Sequence, residues 1–205
     1  MAEGELERLA AEIRACRICA ETPLRSALPH APNPILRVSA TARLCIASQA
    51  AGTRAHASST PFDDASGDRL RAWLGLDRDE FYDVGRIAIV PMGFCFPGQD
   101  AKGGDLPPRR ECAPAWRARL FRLMPQIELV LAIGQYAQAW HLGDRRAGTL
   151  TETVARWREH LGAPGPAVLP LPHPSWRNNG WLRSHPWFET ELLPVLRSEV
   201  RRLTS

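Results

Sequence analysis

Two short polar segments, each directly after an apolar run of strand length, carry side chains that could hold one ligand by hydrogen bonds. The first run, residues 44–47, leads into Ser48-Gln49-Ala50-Ala51-Gly52, and the second, residues 168–172, leads into His173-Pro174-Ser175. In an open α/β sheet the carboxyl ends of the strands border a common crevice. The side-chain amide of Gln49 and the imidazole of His173 could therefore face each other, although they lie far apart in the sequence.

Cysteine spacing supplies a second group of residues that could do chemistry. Cys16 and Cys19 form a Cys-x-x-Cys pair, and Cys95 and Cys112 have sixteen residues between them. Four thiolates can hold zinc or an iron–sulfur cluster, because both favour soft sulfur ligands, and the alternative is that the four are unrelated free thiols. Disulfides are the least expected outcome in a reducing compartment. Cys45 falls inside an apolar strand pattern and is expected to be a small buried hydrophobe.

The elements that must position these residues alternate between strand and helix patterns. Strands are predicted over residues 43–47, 86–90, 128–133 and 168–171. Helices are predicted over residues 5–19, 66–74, 109–124, 135–141, 150–161 and 188–203. This alternation predicts an α/β fold, a three-layer sandwich in which helices flank a small parallel sheet of about four strands. The Gly- and Pro-rich stretch 93–108 is long enough to be a functional loop.

Length and composition limit the class of protein. The chain has 205 residues, of which 44% are hydrophobic, and this fits one domain over residues 1–205 better than two. Its longest apolar stretches are of strand length, and residues 1–5 lack the basic start and the apolar core of a secretion signal. We therefore expect a cytoplasmic protein with no membrane partner.

The charge pattern gives mild support for a polyanionic partner. The formal net charge is +4, and the segment 101–122 holds six basic residues against Asp105 and Glu111. A basic face can attract nucleic acid, but a solvated helix surface explains the same pattern equally well. The charge alone does not decide between these two readings.

The order and spacing of several motifs resemble the uracil-DNA glycosylase superfamily, and within it the bacterial iron–sulfur branch. The resemblance covers nearly the whole chain. The motifs that carry it are Cys16-x-x-Cys19, Gln49-Ala50-Ala51-Gly52, Pro61-Phe62 with Ser66-Gly67 and Leu70, Cys95-Phe96-Pro97-Gly98, Pro107-Pro108-Arg109-Arg110-Glu111-Cys112, Ile133-Gly134 and His173-Pro174-Ser175.

The resemblance implies an enzyme that cuts the N-glycosidic bond of a uracil flipped out of DNA, leaving an abasic site and free uracil. His173 occupies the position of the donor that stabilises the negative charge on O2 of the departing base. Gln49 stands where relatives often carry Asp, Glu or Asn. A neutral amide can orient the attacking water, whereas it has no charge to oppose the positive charge of the sugar. Asp63 and Asp64 are the nearest carboxylates that could contribute, and their alternative role is helix capping or solvent contact ahead of Ser66.

The resemblance also assigns residues to the substrate. Phe62 matches the aromatic residue that stacks on the flipped base, and backbone amides of Ala50, Ala51 and Gly52 could contact the base as well. The Asn that reads uracil in the iron–sulfur branch is replaced by Pro91. Three amide side chains could substitute for that Asn, and they are Gln49, Asn178 and Asn179. Of these, Asn179 is expected to contact the substrate, as is Asp64.

Four further positions match contacts to DNA. Ser175 and Ser66 are expected to meet phosphates, and Trp176 with Arg177 stands where relatives insert a wedge into the gap left by the flipped nucleotide. For the four cysteines the resemblance favours a structural [4Fe–4S] cluster, with zinc as the alternative.

The sequence therefore predicts a monofunctional uracil-DNA glycosylase that acts as a monomer on single- or double-stranded DNA. Two alternatives remain open. The altered pocket would also suit a glycosylase for another deaminated base, such as hypoxanthine or xanthine. The missing carboxylate at Gln49 and the missing Asn at Pro91 would suit a catalytically inactive module that binds DNA or a base.

Overall fold

A four-stranded parallel sheet forms the centre of the computed structural model, which describes residues 2–162 and 165–205. The strands are β1 (Leu44–Ala47), β2 (Ile87–Ile89), β3 (Leu129–Ile133) and β4 (Ala167–Leu171), and they lie in the order β2-β1-β3-β4. All neighbouring pairs are parallel. All four predicted strands are confirmed, as is the α/β fold class.

Burial on both faces explains why the strands are continuous apolar runs. Every residue of β1, β2 and β3 is buried, as a sheet covered by helices on both sides requires. Pro170 lies in β4 opposite Ala132 of β3. A proline has no N–H for the ladder, and β4 tolerates it because it is an edge strand.

Eleven α-helices are found in the part of the chain that the structure describes. They are α1 (Ala2–Arg14), α2 (Ile18–Glu21), α3 (Thr53–Ser58), α4 (Ala65–Leu74), α5 (Arg78–Tyr82), α6 (Cys112–Arg122), α7 (Gly134–Leu142), α8 (Leu150–Ala155), α9 (Trp157–Leu161), α10 (Asn179–Ser184) and α11 (Leu193–Thr204). A π-helical turn, Phe188–Leu192, leads into α11, and short 3-10 turns cover Gly143–Arg145 and Trp176–Asn178.

Two apolar layers cover the sheet and make the fold a three-layer sandwich. One layer packs α1, α6 and α7 against residues such as Cys45 and Val130. The other packs α4, α11 and the π-helical turn against Leu44 and Leu131. Alternate residues of each strand serve opposite layers, because successive side chains point to opposite faces of a sheet.

The helix boundaries differ from the predicted ones where a local contact competes with helix formation. The segment predicted to begin a helix at Arg109 instead makes a turn, because the half-buried Arg109 forms an ion pair with Glu111 at 2.8 Å. Glu111 also accepts a hydrogen bond from the backbone N–H of Leu24. The helix therefore begins at Cys112. The predicted first helix is divided into α1 and α2, and the predicted helix over residues 150–161 is divided at Arg156.

The short helices α3, α5 and α10 are additional to the sequence prediction. Within the described residues, no helix is both long enough and apolar enough to cross a membrane.

Candidate active site

A cleft of about 650 Å³ opens at the edge of the sheet where the parallel strands end. The segments that follow β1, β2 and β4 all contribute to its wall. The loop before α4 and the long loop between residues 97 and 106 complete it. Residues that are distant in the sequence thus converge here, as expected for an open α/β sheet. The residues that line the cleft include Gln49, Gly52, Phe62, Asp64, Ser66, Pro91, Gln99, Asp105, His173, Ser175, Trp176, Arg177 and Asn178.

His173 lies two residues after the end of β4, and a hydrogen bond holds its backbone. Its carbonyl accepts a hydrogen bond from Nδ2 of Asn178 at 2.7 Å. The side chain is half-buried, and this burial lowers its pKa, while Asp64 and Asp105 act in the opposite direction. The imidazole is therefore neutral at physiological pH and can donate a hydrogen bond without carrying a charge.

Gln49 follows β1 in a loop that continues the pairing of β1 with β2. The N–H groups of Met92 and Gly93 donate to the carbonyls of Ser48 and Gln49 at 2.8 and 2.9 Å. The Gln49 side chain donates from Nε2 to the carbonyl of Leu106 at 3.3 Å. This contact ties the loop after β1 to the long loop between residues 97 and 106.

The three residues after Gln49 make a thin wall. Ala50 and Ala51 have small side chains, and Gly52 has extended backbone as it caps the start of α3. All three line the cleft, so the main chain is accessible to a ligand at this point.

Phe62 is held in an unusual conformation beside the cleft. Its φ of 57° lies in the left-handed region, which costs energy for a residue with a side chain. Gly67 makes this possible, because a β-carbon at that position would lie 1.8 Å from the Phe62 carbonyl oxygen. The same oxygen accepts a hydrogen bond from the buried Arg71, and the ring packs edge-on against Phe81 at 6.1 Å. The strained backbone thus fixes where the Phe62 ring lies.

The two carboxylates that follow Phe62 have different surroundings. Asp63 forms an ion pair with Arg78 at 3.0 Å, and the hydrogen bond from Arg78 lowers its pKa. Asp64 caps α4, since its Oδ1 accepts from the N–H of Gly67 at 2.9 Å. Asp64 lines the cleft and Asp63 does not. Asp64 therefore combines the capping role with a place at the site.

The expected DNA contacts lie along one rim. Ser66 is in the first turn of α4, and Ser175 lies beside this helix, because Arg69 of α4 donates to the Ser175 carbonyl at 3.1 Å. Trp176 is 72% exposed, which leaves its ring free to enter a nucleic acid, and the Arg177 guanidinium lies 5.8 Å from that ring.

Asn179 is placed differently from the expectation. It begins α10, is exposed and is not among the residues that line the cleft. The neighbouring Asn178 lines the cleft instead, because the 3-10 turn Trp176–Asn178 directs the chain back towards His173. Of the three amides considered as uracil readers, Gln49 and Asn178 lie at the site.

Sequence reasoning missed residues of the long loop. Gln99, Asp105 and Leu106 line the cleft, and Arg54 of α3 does so as well. The Gly- and Pro-rich composition marked the loop as functional, but no local pattern distinguished Asp105 from Asp100.

The four cysteines singled out by spacing surround one cavity behind the long loop. Cys16, Cys19, Cys95 and Cys112 all line it, together with Arg109 and Trp116. Burial raises the pKa of the Cys95 and Cys112 thiols to about 12. Cys45 is fully buried in β1 and lies apart from this cavity, as expected.

Four thiols round one cavity are the kind of ligand set that a zinc ion or a [4Fe–4S] cluster takes. Within residues 2–162 and 165–205, no three His, Cys, Asp or Glu side chains are grouped so as to hold a metal ion. The side chains that would hold either group are the four cysteines of this cavity.

The cleft therefore brings together an aromatic ring that can stack, a neutral imidazole, a side-chain amide, and a rim with serines and an arginine. A family model, the uracil DNA glycosylase superfamily, matches residues 37–197. The chain therefore belongs to the uracil DNA glycosylase superfamily. It is a DNA glycosylase, a hydrolase that binds DNA and acts in base excision repair.

The matched range includes all of the cleft residues named above and also Cys95 and Cys112. Cys16 and Cys19 lie before it.

Proposed function

We propose that the protein removes uracil from DNA by hydrolysing its N-glycosidic bond, without cutting the DNA strand. The observation that carries this proposal is that His173, Gln49 and Phe62 line one cleft. His173 follows β4, Gln49 follows β1, and Phe62 lies in the loop before α4. Together they supply a hydrogen-bond donor, an amide that can orient water and a stacking ring. These are the groups that release of a uracil anion requires.

His173 stabilises the transition state. As the bond between C1′ and N1 of the nucleotide breaks, its electron pair leaves with uracil and negative charge develops on O2. A neutral imidazole N–H can donate to this oxygen, and the donation is stronger in the transition state than in the ground state. The lowered pKa of His173 keeps the group in this neutral form.

Phe62 and the rim bind the flipped nucleotide. Extruding a base from duplex DNA costs a few kcal/mol, and contacts in the pocket offset that cost. Stacking on an aromatic ring contributes about 1–3 kcal/mol per base. The exposed Trp176 fills the vacated place in the duplex, and Ser66, Ser175 and Arg177 bind the phosphates.

We also propose that Cys16, Cys19, Cys95 and Cys112 hold a [4Fe–4S] cluster with a structural role. Hydrolysis of a glycosidic bond transfers no electrons, so the reaction needs no redox group. When bound, such a group would tie the segment after α1 to the long loop and to the start of α6. It would thereby fix the loop that carries Gln99 and Asp105 into the cleft.

The first experiment is excision from synthetic oligonucleotides. Purified protein is mixed with a single strand or a duplex that carries one central uracil, and alkali then breaks any abasic site. Cleavage of the uracil strand, with none of matched thymine and cytosine strands, is the expected result. DNA binding with no product from uracil would contradict the proposal and would favour another damaged base or a binding module.

One observation favours a second substrate class. Pro91 lines the cleft at the position where the resemblance to the iron–sulfur branch would place an Asn. The side chain of proline cannot make a hydrogen bond. The side-chain amides that line the cleft and could read the base are then those of Gln49, Gln99 and Asn178. Strands with hypoxanthine or xanthine belong in the same assay, and preferential release of either would assign the enzyme to that base.

A further inference from the structure

Two carboxylates line the cleft among the residues that the structure describes, and they are Asp64 and Asp105. A negative charge matters here because C1′ of the sugar becomes positively charged as the base leaves. Gln49 is neutral and cannot oppose this charge. Asp64 already uses Oδ1 to cap α4, with the N–H of Gly67 at 2.9 Å. Asp105 also has one oxygen in a hydrogen bond, but its donor is the Gln99 side chain of the same cleft wall, and its other oxygen lies against Gly52 of the loop that carries Gln49. We therefore consider Asp105 for a role in the reaction.

The long loop has its own internal structure that holds Asp105 in place. Asp100 accepts from the N–H groups of Lys102 and Gly104, each at 2.8 Å, and closes a turn at the tip of the loop. Below this turn, Gln99 and Asp105 pair as in an antiparallel bridge. The N–H of Leu106 then donates to the carbonyl of Gly98 at 2.9 Å. Asp105 is thus in a small hairpin with a defined side-chain direction.

That hairpin places the Asp105 carboxylate against the loop that follows β1. A β-carbon built on Gly52 would lie 3.4 Å from Oδ2 of Asp105, so the carboxylate packs directly on this glycine. Oδ1 accepts from Nε2 of Gln99 at 3.2 Å. The carbonyl of the next residue, Leu106, accepts a hydrogen bond from the Gln49 side-chain amide at 3.3 Å. The carboxylate and the Gln49 side chain are therefore held by neighbouring residues of one loop.

We propose that Asp105 is a catalytic residue, the anion that opposes the positive charge at C1′ and takes the proton of the attacking water. The inference rests on the proposed glycosylase function and deepens it. The bond between C1′ and N1 breaks, and its electron pair leaves with the base. Water, oriented by Gln49, forms the new bond from its oxygen to C1′. The proton that this water loses passes to the Asp105 carboxylate and from there to the departed base anion.

The first test uses DNA in which the sugar is replaced by a stable mimic, so that no base needs to be released. One duplex carries a cationic pyrrolidine in place of the target nucleotide, and its matched duplex carries a neutral tetrahydrofuran. We expect the wild-type protein to bind the cationic duplex at least tenfold more tightly. Asp105→Asn should lose most of this preference, and it should bind the tetrahydrofuran duplex as well as or better than wild type, since a charge that repels phosphate is gone.

Asp100→Asn is the matched control, because it makes the same chemical change in the same loop. Asp100 does not line the cleft, and an Asn can still accept the two backbone hydrogen bonds of the turn. This variant should keep the preference for the cationic duplex. Equal preference in wild type and Asp105→Asn, no preference in wild type, or equal loss in both variants would overturn the role of Asp105.

The second test is the single-turnover rate of base release under saturating protein. Asp105→Asn should lower this rate on the order of 100-fold, within the range of general base catalysis, with no loss of affinity for DNA. A rate in Asp105→Asn equal to that of Asp100→Asn would contradict the proposal. If wild-type protein releases no uracil but Asp105 still governs the preference for the cationic duplex, the assignment of uracil fails and the role of Asp105 stands.

Discussion

The imidazole of His173 is a donor whose strength depends on its being neutral and pointing into the cleft. Replacing it by alanine removes the hydrogen bond to the departing base. We expect His173→Ala to lower the single-turnover rate of base release by about 100- to 1000-fold, the usual effect of losing one donor to a developing oxyanion. The affinity for uracil-containing DNA should change little, because the bond is made mainly in the transition state.

Gln49→Ala provides the comparison for this prediction. Loss of an amide that orients water should cost less than loss of His173. The measurements are single-turnover excision and binding to tetrahydrofuran DNA, with a circular dichroism spectrum to show that each variant is folded. Full activity in folded His173→Ala would contradict the mechanism, even though the chain belongs to this superfamily.

Individual site residues can be predicted from the sequence where they belong to a recognisable motif. Gln49 lies two residues after a recognisable strand, Phe62 and His173 each follow a proline, and the structure brings the three to one cleft. Asp105 could not be predicted, because its place depends on the hairpin made by Gln99, Asp100 and Gly104. The sequence offers both Asn178 and Asn179 as readers of the base and favours Asn179 as a substrate contact, whereas Asn178 is the one that lines the cleft, because a one-residue difference in a turn is not visible in composition.

The elements round the four cysteines give the next prediction. Cys16 follows α1, Cys19 lies in α2, Cys95 is in the long loop and Cys112 begins α6. Protein purified without oxygen should contain about four irons and four sulfides per chain, the stoichiometry of a [4Fe–4S] cluster. Cys112→Ala should lose most of this iron, and the measurement is metal and sulfide analysis together with the visible absorption spectrum.

Cys45→Ala is the matched control, because Cys45 is buried in β1 and lies outside the cavity. It loses packing but should keep the iron content of the wild type. Zinc in place of iron would assign the site to the alternative metal. Absence of both metals from wild-type protein, or equal iron in Cys112→Ala and wild type, would contradict the proposed cluster.

The predicted strands and helices are confirmed where they are hydrophobic runs. Their observed boundaries differ from the predicted ones where a polar contact determines where the element begins or ends. The four strands are runs such as Leu129–Ile133, in which every residue is buried, and such runs are visible in the sequence. The start of α6 was predicted three residues early, because the Arg109–Glu111 ion pair stabilises a turn that no pattern reveals. The short helix α5 is stabilised by a capping box of Asp77 and Glu80. This spacing is visible in the sequence and would have predicted the helix.

Across the whole molecule, burial of histidines links stability to pH. The pKa values of four of the six histidines are lowered, chiefly by burial; they are His56, His141, His160 and His173. The effect is largest for His141, where burial and then the charge of Arg117 lower the pKa from 6.5 to about 3. Arg117 is itself fully buried, and its guanidinium donates hydrogen bonds to the carbonyls of Val90 and Pro91 at 2.8 and 2.9 Å.

The sign of the pH effect follows from which state binds the proton. Between pH 6.5 and pH 3 the unfolded chain protonates residue His141, whereas the folded protein keeps it neutral. The unfolded state therefore binds more protons, and the free energy of unfolding falls as the pH falls through this window. Above pH 6.5 both states are neutral at this residue, and its contribution no longer depends on pH.

We expect His141 alone to lower the free energy of unfolding by about 2 kcal/mol between pH 7.5 and pH 5, from proton binding to the unfolded chain. Urea unfolding at both pH values measures this difference. In His141→Gln the side chain cannot titrate, while its amide oxygen can still accept from Arg117, so the difference should shrink by about the same 2 kcal/mol. An unchanged difference in this variant would show that His141 is protonated in the folded protein, and that the buried Arg117 does not exclude a second positive charge from the core.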